Sequence, residues 1–146
     1  MGVCSPQIRQ PLYVNDILTR SHAHSDSPFA QIFGFSRAVR VGNHISVGGT
    51  APIDSDGNTV GVGDVAEQAR QCFETISKSL EKVDATLSDV VRTRIMLTDL
   101  TDWKAVAEVR GVLFRDVLPV DTVVKVSGFI NPEWLIEIEV DAIVDV

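Results

Sequence analysis

The stretch "DVVRTRIMLTD", Asp89–Asp99, decides how the rest of the chain is read. Val91, Thr93, Ile95 and Leu97 fall on one side of it, and Arg92, Arg94 and Met96 on the other. Period two is the mark of a strand with one face turned to a core. The next segment, "TDWKAVAEVRGVLFRDV", changes to helical spacing and puts Trp103, Val106, Val109, Leu113 and Phe114 on one stripe. Pro119 ends that helix.

Working outward, "VDTVVKV" after Pro119 and "WLIEIEVDAIV" from Trp134 both read as strands. Upstream, "GDVAEQARQCFETISKSLEKV" is a long helix, with Val65, Ala69, Cys72, Phe73, Ile76, Leu80 and Val83 at helical spacing. Asp64 caps its start, with Glu67 as the capping-box partner. Before it, "SRAVRVGNHISVGG" reads as a hairpin turning at Gly42-Asn43. The order is β-β-α-β-α-β-β, an α/β (α+β) arrangement with a mixed sheet and both helices on one face. That leaves the other sheet face bare, and a bare face carrying Val123 and Met96 predicts an oligomer.

The chain has 146 residues, 45% apolar and 23% charged, which fits one globular domain. Residues 31–146 are assigned to that domain. Residues 1–30, broken by Pro6, Pro11 and Pro28, are read as an N-terminal extension, loosely ordered or packed on it. The net charge of -7 argues against non-specific nucleic-acid binding. Cys4 and Cys72 form no CxxC motif, and no run approaches ~18 apolar residues, so a soluble cytoplasmic protein without membrane association is expected. His22 and His24 have an HxH spacing but no patterned third ligand, so they are read as a solvated tail rather than a metal site. Asp54, Asp56 and Gly57 lack the later ligands of a calcium loop and are read as a turn. "VGVGD" before the first helix holds two glycines, but Asp64 at the cap opposes an anion there. No phosphate loop, GxGxxG or GxSxG is present.

The strand faces carry charge in rows. Asp121, Val123 and Lys125 share one side of their strand, Glu137, Glu139 and Asp141 one side of the last. Such rows serve either as cross-strand ion pairs at an interface or as a site where a carboxylate moves a proton or holds a water.

Four segments in this order resemble the Rid family, the reactive-intermediate deaminases also called YjgF-type or L-PSP proteins. They are "VRVGNHISVGGTAPID", "EQARQCFETISKSLE", "DVVRTRIMLTDLTDWKAVAEV" and "EIEVDAIV", spanning about Phe35 to Val144. The resemblance implies a chorismate-mutase-like (YjgF-like) fold and a homotrimer with small-molecule clefts between subunits. It also implies hydrolysis of enamine and imine intermediates such as 2-aminoacrylate, without metal or organic cofactor. Residue by residue, it implies that Glu137 positions the attacking water. It places Phe35 where a tyrosine often lines the pocket, Gly48, Gly49 and Thr50 where Ser-Gly-Gln is usual, and Val123 where many members have cysteine. Asp121 stands where an arginine clamps the substrate carboxylate, as in an arginine-lacking subgroup.

Like charges at ~4 Å cost about 1 kcal/mol in water and more in a dry cleft, so 2-aminoacrylate-type substrates are not expected. The catalytic candidates are therefore Glu137 and Asp121, with Phe35, Arg37, Gly49, Thr50 and Val123 as substrate contacts. Either the two acids serve a neutral or cationic ligand, or Arg37, Arg92 or Arg94 replaces the clamp. Two other functions compete: a non-catalytic ligand-binding trimer, and an L-PSP-type endoribonuclease or translation inhibitor.

Overall fold

The structure is a computed structural model and describes residues 19–145. Cys4, Pro6 and Pro11 lie outside the described residues. Six strands form one mixed sheet in the order β1-β2-β3-β6-β4-β5. These are β1 (Arg20–Ala23), β2 (Ala38–Val41), β3 (His44–Thr50), β4 (Val90–Leu97), β5 (Val120–Lys125) and β6 (Ile136–Ile143). The helices are a short α1 (Ala30–Phe33), α2 (Val65–Glu81) and α3 (Trp103–Phe114). The two long helices pack on one face, as the alternation and helical periodicity predict.

The hairpin forms where expected, with Val41 opposite His44 across Gly42-Asn43. Gly42 takes a φ of 62° and Asn43 none above zero, the pattern of a type II′ turn. Asp64 caps α2 by accepting from the Glu67 N–H at 3.1 Å. Phe73 from α2 and Phe114 from α3 meet edge to face at 5.6 Å and join Ile45, Ile95, Ile136 and Ile138 from the sheet in one core.

The structure differs from the sequence reading at several places. Strand β1 pairs with β2 inside the stretch read as an extension, and its Ala23 is fully buried in the core. Its brevity and polar composition, "RSHA", hide it from pattern reading. Val91 is exposed because β4 bulges against β6 between Val90 and Arg92, so Val90 takes the inward place. Trp103 and Leu113 are also exposed, leaving Val106, Val109 and Phe114 as the buried stripe of α3.

The largest correction concerns β5. It is an edge strand with every residue exposed, not a core strand. It runs parallel to β4 with Asp121 beside Thr93, Val123 beside Ile95 and Lys125 beside Leu97. Thr93, Ile95 and Leu97 are core residues. Asp121, Val123 and Lys125 therefore point to the helix side, and Val120, Thr122 and Val124 share the bare face with Arg92, Arg94 and Met96. On that bare face Arg94 bonds Glu139 at 2.8 Å and Asp141 at 3.0 Å, with Arg92 3.9 Å from Asp141. Arg92, Arg94, Glu139 and Asp141 are thus paired across strands, and Glu137 at the end of the row is not, among the described residues.

Candidate functional site

At the end of the sheet where β3 meets β6, Gly48 and Gly49 form a bulge. Val47 pairs with Val140 but Thr50 with Ile138, so β3 carries one residue more than its partner. The bulge brings the Gly49 backbone against Glu137. A Cβ on Gly49 would stand 2.8 Å from Glu137 Oε2, so the carboxylate keeps its position only because residue 49 has no side chain.

Glu137 lines a cavity of about 420 Å³ together with Arg37, Gly48, Gly49, Ser27, Ser36 and an apolar set that includes Phe29, Phe33, Phe35, Ile130 and Trp134. Its neighbours in the row, Glu139 and Asp141, are held by Arg94. Among the described residues nothing donates a hydrogen bond to Glu137, and it is not sealed from solvent. Burial pushes its pKa above the usual carboxylate value, Arg37 pulls it back, and Glu139 adds to the rise. A partly desolvated carboxylate with free lone pairs, facing a cavity, is equipped to hold a water and take its proton.

Arg37 is 6% exposed and forms no direct ion pair among the described residues. Its Nη1 donates to the carbonyl of Gly49 and more weakly to that of Gly48, and its Nη2 donates to Ser25 Oγ at 2.9 Å. The Phe35 ring lies 5.5 Å from the guanidinium carbon. Burial lowers the Arg37 pKa and Glu137 raises it. Arg37 thus pins the bulge that shapes the site and leaves its charge at the cavity wall.

Of the residues read from the sequence, Glu137, Phe35, Arg37 and Gly49 come together in this cavity. Thr50 does not line it: its hydroxyl donates to the Gly48 carbonyl at 2.8 Å, behind the wall. Val123 and Asp121 do not line it either, because the parallel register turns them to the helix side. Asp121 Oδ1 accepts from Thr93 Oγ1 at 2.6 Å and lies 3.5 Å from Arg110 Nε. Arg110 also donates to Thr93 Oγ1 at 2.9 Å and to the Pro119 carbonyl at 3.0 Å. Asp121 and Glu137 of one chain therefore sit on opposite sheet faces. Arg92 and Arg94 are spent on the bare face, so Arg37 is the arginine in the cavity.

Arg110 was missed, although its place on α3, four residues before Phe114 and nine before Pro119, signals a reach toward the start of β5. The aromatic wall was missed too. Phe29 and Phe33 are one helical turn apart around α1, and Trp134 stands three residues before Glu137. Trp134 packs edge to face on Phe29 at 6.4 Å, with its indole N–H held by Thr59 Oγ1 at 3.2 Å. Beneath the site, burial raises the pKa of the fully buried Cys72 thiol, leaving it neutral and unreactive. His22 bonds Ser36 Oγ at 3.1 Å, and no cluster of metal-ligating groups occurs among the described residues.

The profile of a family described as endoribonuclease L-PSP matches residues 25–144. An uncharacterized protein of Streptomyces coelicolor is 36% identical over 118 residues, 81% of this chain and 87% of that protein. The 3-aminoacrylate deaminase RutC of Acinetobacter baylyi is 36% identical over 101 residues, 69% of this chain and 79% of RutC. Among solved structures, a member of the YjgF/YER057c/UK114 family from Mycobacterium tuberculosis is 40% identical, with a TM-score of 0.78 over 86% of this chain and all of that one.

Proposed function

Because this chain belongs to the endoribonuclease L-PSP family, the Rid or YjgF proteins, we propose that it hydrolyses an imine, enamine or related reactive small molecule at the Glu137 cavity. The observation that carries this reading is the Glu137 carboxylate, raised in pKa by burial and without a protein hydrogen-bond donor among the described residues. The deaminase activity in the name of the Acinetobacter baylyi relative supports the same class of reaction.

In the proposed step Glu137 takes a proton from a water whose oxygen attacks the imine carbon. The C=N electron pair moves onto nitrogen, which receives that proton from Glu137. The carbinolamine then collapses: Glu137 takes the hydroxyl proton and passes it to nitrogen, the C–N bond breaks, ammonia leaves and a carbonyl forms. Nothing is oxidised or reduced, and water is the only co-reactant. The Arg37 charge opposes the burial effect on Glu137 and so favours the ionised form that acts as a base. Arg37, the one arginine lining the cavity among the described residues, spends its donors on the Gly48 and Gly49 carbonyls and Ser25 Oγ, so 2-aminoacrylate-type acids are not the preferred substrates. The test is the decay of free imines with and without the protein, followed by trapping.

The reading includes a homotrimer in which bare sheet faces pack inward and cavity mouths open at subunit boundaries. The exposed Val120, Val124 and Ile143 support it. Light scattering is expected to give three times the 15.9 kDa chain mass, and a monomer at micromolar concentration would remove this part. An RNA-cleaving role, suggested by the family's description, is disfavoured by the charge of -7.

A further inference from the structure

We infer that the cavity takes an imine bearing an aromatic ring, or an apolar group of similar bulk, and that Phe33 and Ile130 at its mouth set this preference. The inference rests on the hydrolase reading above and adds the substrate's size and surface. A volume of about 420 Å³ lies in the range of sites that enclose a whole organic ligand, and a three-carbon imine would leave most of it empty.

The cavity's chemistry is divided. Its charged groups are Arg37 and Glu137, beside the Gly48-Gly49 bulge. The rest is dominated by apolar side chains. Trp134 and Phe29 meet at an interplanar angle of 82°, which offers a ring face and a ring edge to a third aromatic group. The indole is fixed by its bond to Thr59 and by burial to 5% exposure, so this surface is preorganised.

The mouth carries the second observation. Phe33 is 66% exposed and Ile130 63% exposed, although they come from segments nearly a hundred residues apart and line the same cavity. Large apolar groups gathered at the rim of a cavity mark a surface meant to be covered. A ring held over the Glu137 end would cover them, and burial of that ring is binding energy a small imine cannot supply.

The experiment compares two uncharged imines, released by a flavin amine oxidase from benzylamine and from propylamine, and follows their decay by semicarbazide trapping. The expected kcat/KM is at least ~10-fold higher for the benzylamine product. Phe33→Ala and Ile130→Ala, both at exposed positions, are each expected to lower the benzyl-to-propyl ratio of kcat/KM several-fold. Equal rates for the two imines, or equal losses for both, would overturn the inference while leaving imine hydrolysis standing. If the wild-type protein accelerates neither imine, the hydrolase reading fails, and calorimetry with benzamide and propanamide decides the ring preference separately. Tighter binding of benzamide, weakened by Phe33→Ala, supports it; equal or absent binding of the two removes it. A change in oligomeric mass in Phe33→Ala without a change in selectivity also overturns it, since the rim would then be covered by another subunit.

Discussion

Glu137→Gln is expected to reduce imine hydrolysis at least 100-fold and, at the same time, to raise the melting temperature at neutral pH. Both outcomes come from one property. Glutamine keeps the shape and fits beside Gly49, but it cannot accept the proton of an attacking water; loss of a general base typically costs 10²–10⁴-fold. The stability sign follows from the raised folded-state pKa. Between the unfolded value near 4.5 and the higher folded value, the folded chain holds more proton at this site than the unfolded chain does. Stability from Glu137 is therefore fully present below pH 4.5 and is lost as pH rises through the folded pKa. Glutamine escapes that loss, so the variant gains at pH 7 and the gain disappears in acid. Activity runs the other way, because the base must be ionised, and the acid limb of kcat/KM should lie above pH 4.5. Melting curves at pH 4 and pH 7, beside activity followed across the same pH range, check each of these. A variant less stable at both pH values, or one that keeps its activity, would show that Glu137 is an ordinary structural acid.

Gly49→Ala is the second large effect expected. The added Cβ meets Glu137 Oε2 at 2.8 Å, well inside contact distance. The group it meets is the free end of a flexible side chain, so the fold accommodates the methyl by moving the carboxylate. The expected result is a 10- to 100-fold loss of kcat, because a displacement of ~1 Å is enough to misalign a base. Thermal stability should change little beside that loss. Circular dichroism melts and steady-state rates on the same preparation separate the two. A large fall in stability with proportionate loss of activity would mean that the bulge is needed for folding and not for aiming Glu137.

The parts of the fold that follow from local rules were legible. Gly42-Asn43 sets the first hairpin, the spacing from Val65 to Val83 sets α2, and Pro119 ends the stretch that holds α3. The row of Glu137, Glu139 and Asp141 follows from strand period alone, and Glu137 was read as the water-positioning acid from the family resemblance. Asp121 was misplaced for a physical reason. Its alternation is the same whichever face it takes, and β5 is an edge strand with both sides open, so no buried pattern breaks the tie. A parallel pair is joined through a helix, so no turn sets its register; only the pairing of Thr93 with Asp121 decides it. The cavity wall was hidden because Phe33, Trp134 and Ile130 are brought together by tertiary packing and share no local period. The Gly48-Gly49 bulge escaped notice because two glycines in a strand do not announce which side chain needs the space.

Imine hydrolysis at the Glu137 carboxylate underlies every effect above. The most direct measurement is the decay rate of free, oxidase-released imines as the protein's concentration is raised, with semicarbazide trapping what remains and ammonia measured as it appears. The wild-type protein is expected to shorten the imine lifetime in proportion to its concentration, with one ammonia released for each imine lost, and Glu137→Gln is expected to leave the uncatalysed rate unchanged. Imines of every size tested decaying at the same rate with and without the wild-type protein would contradict it.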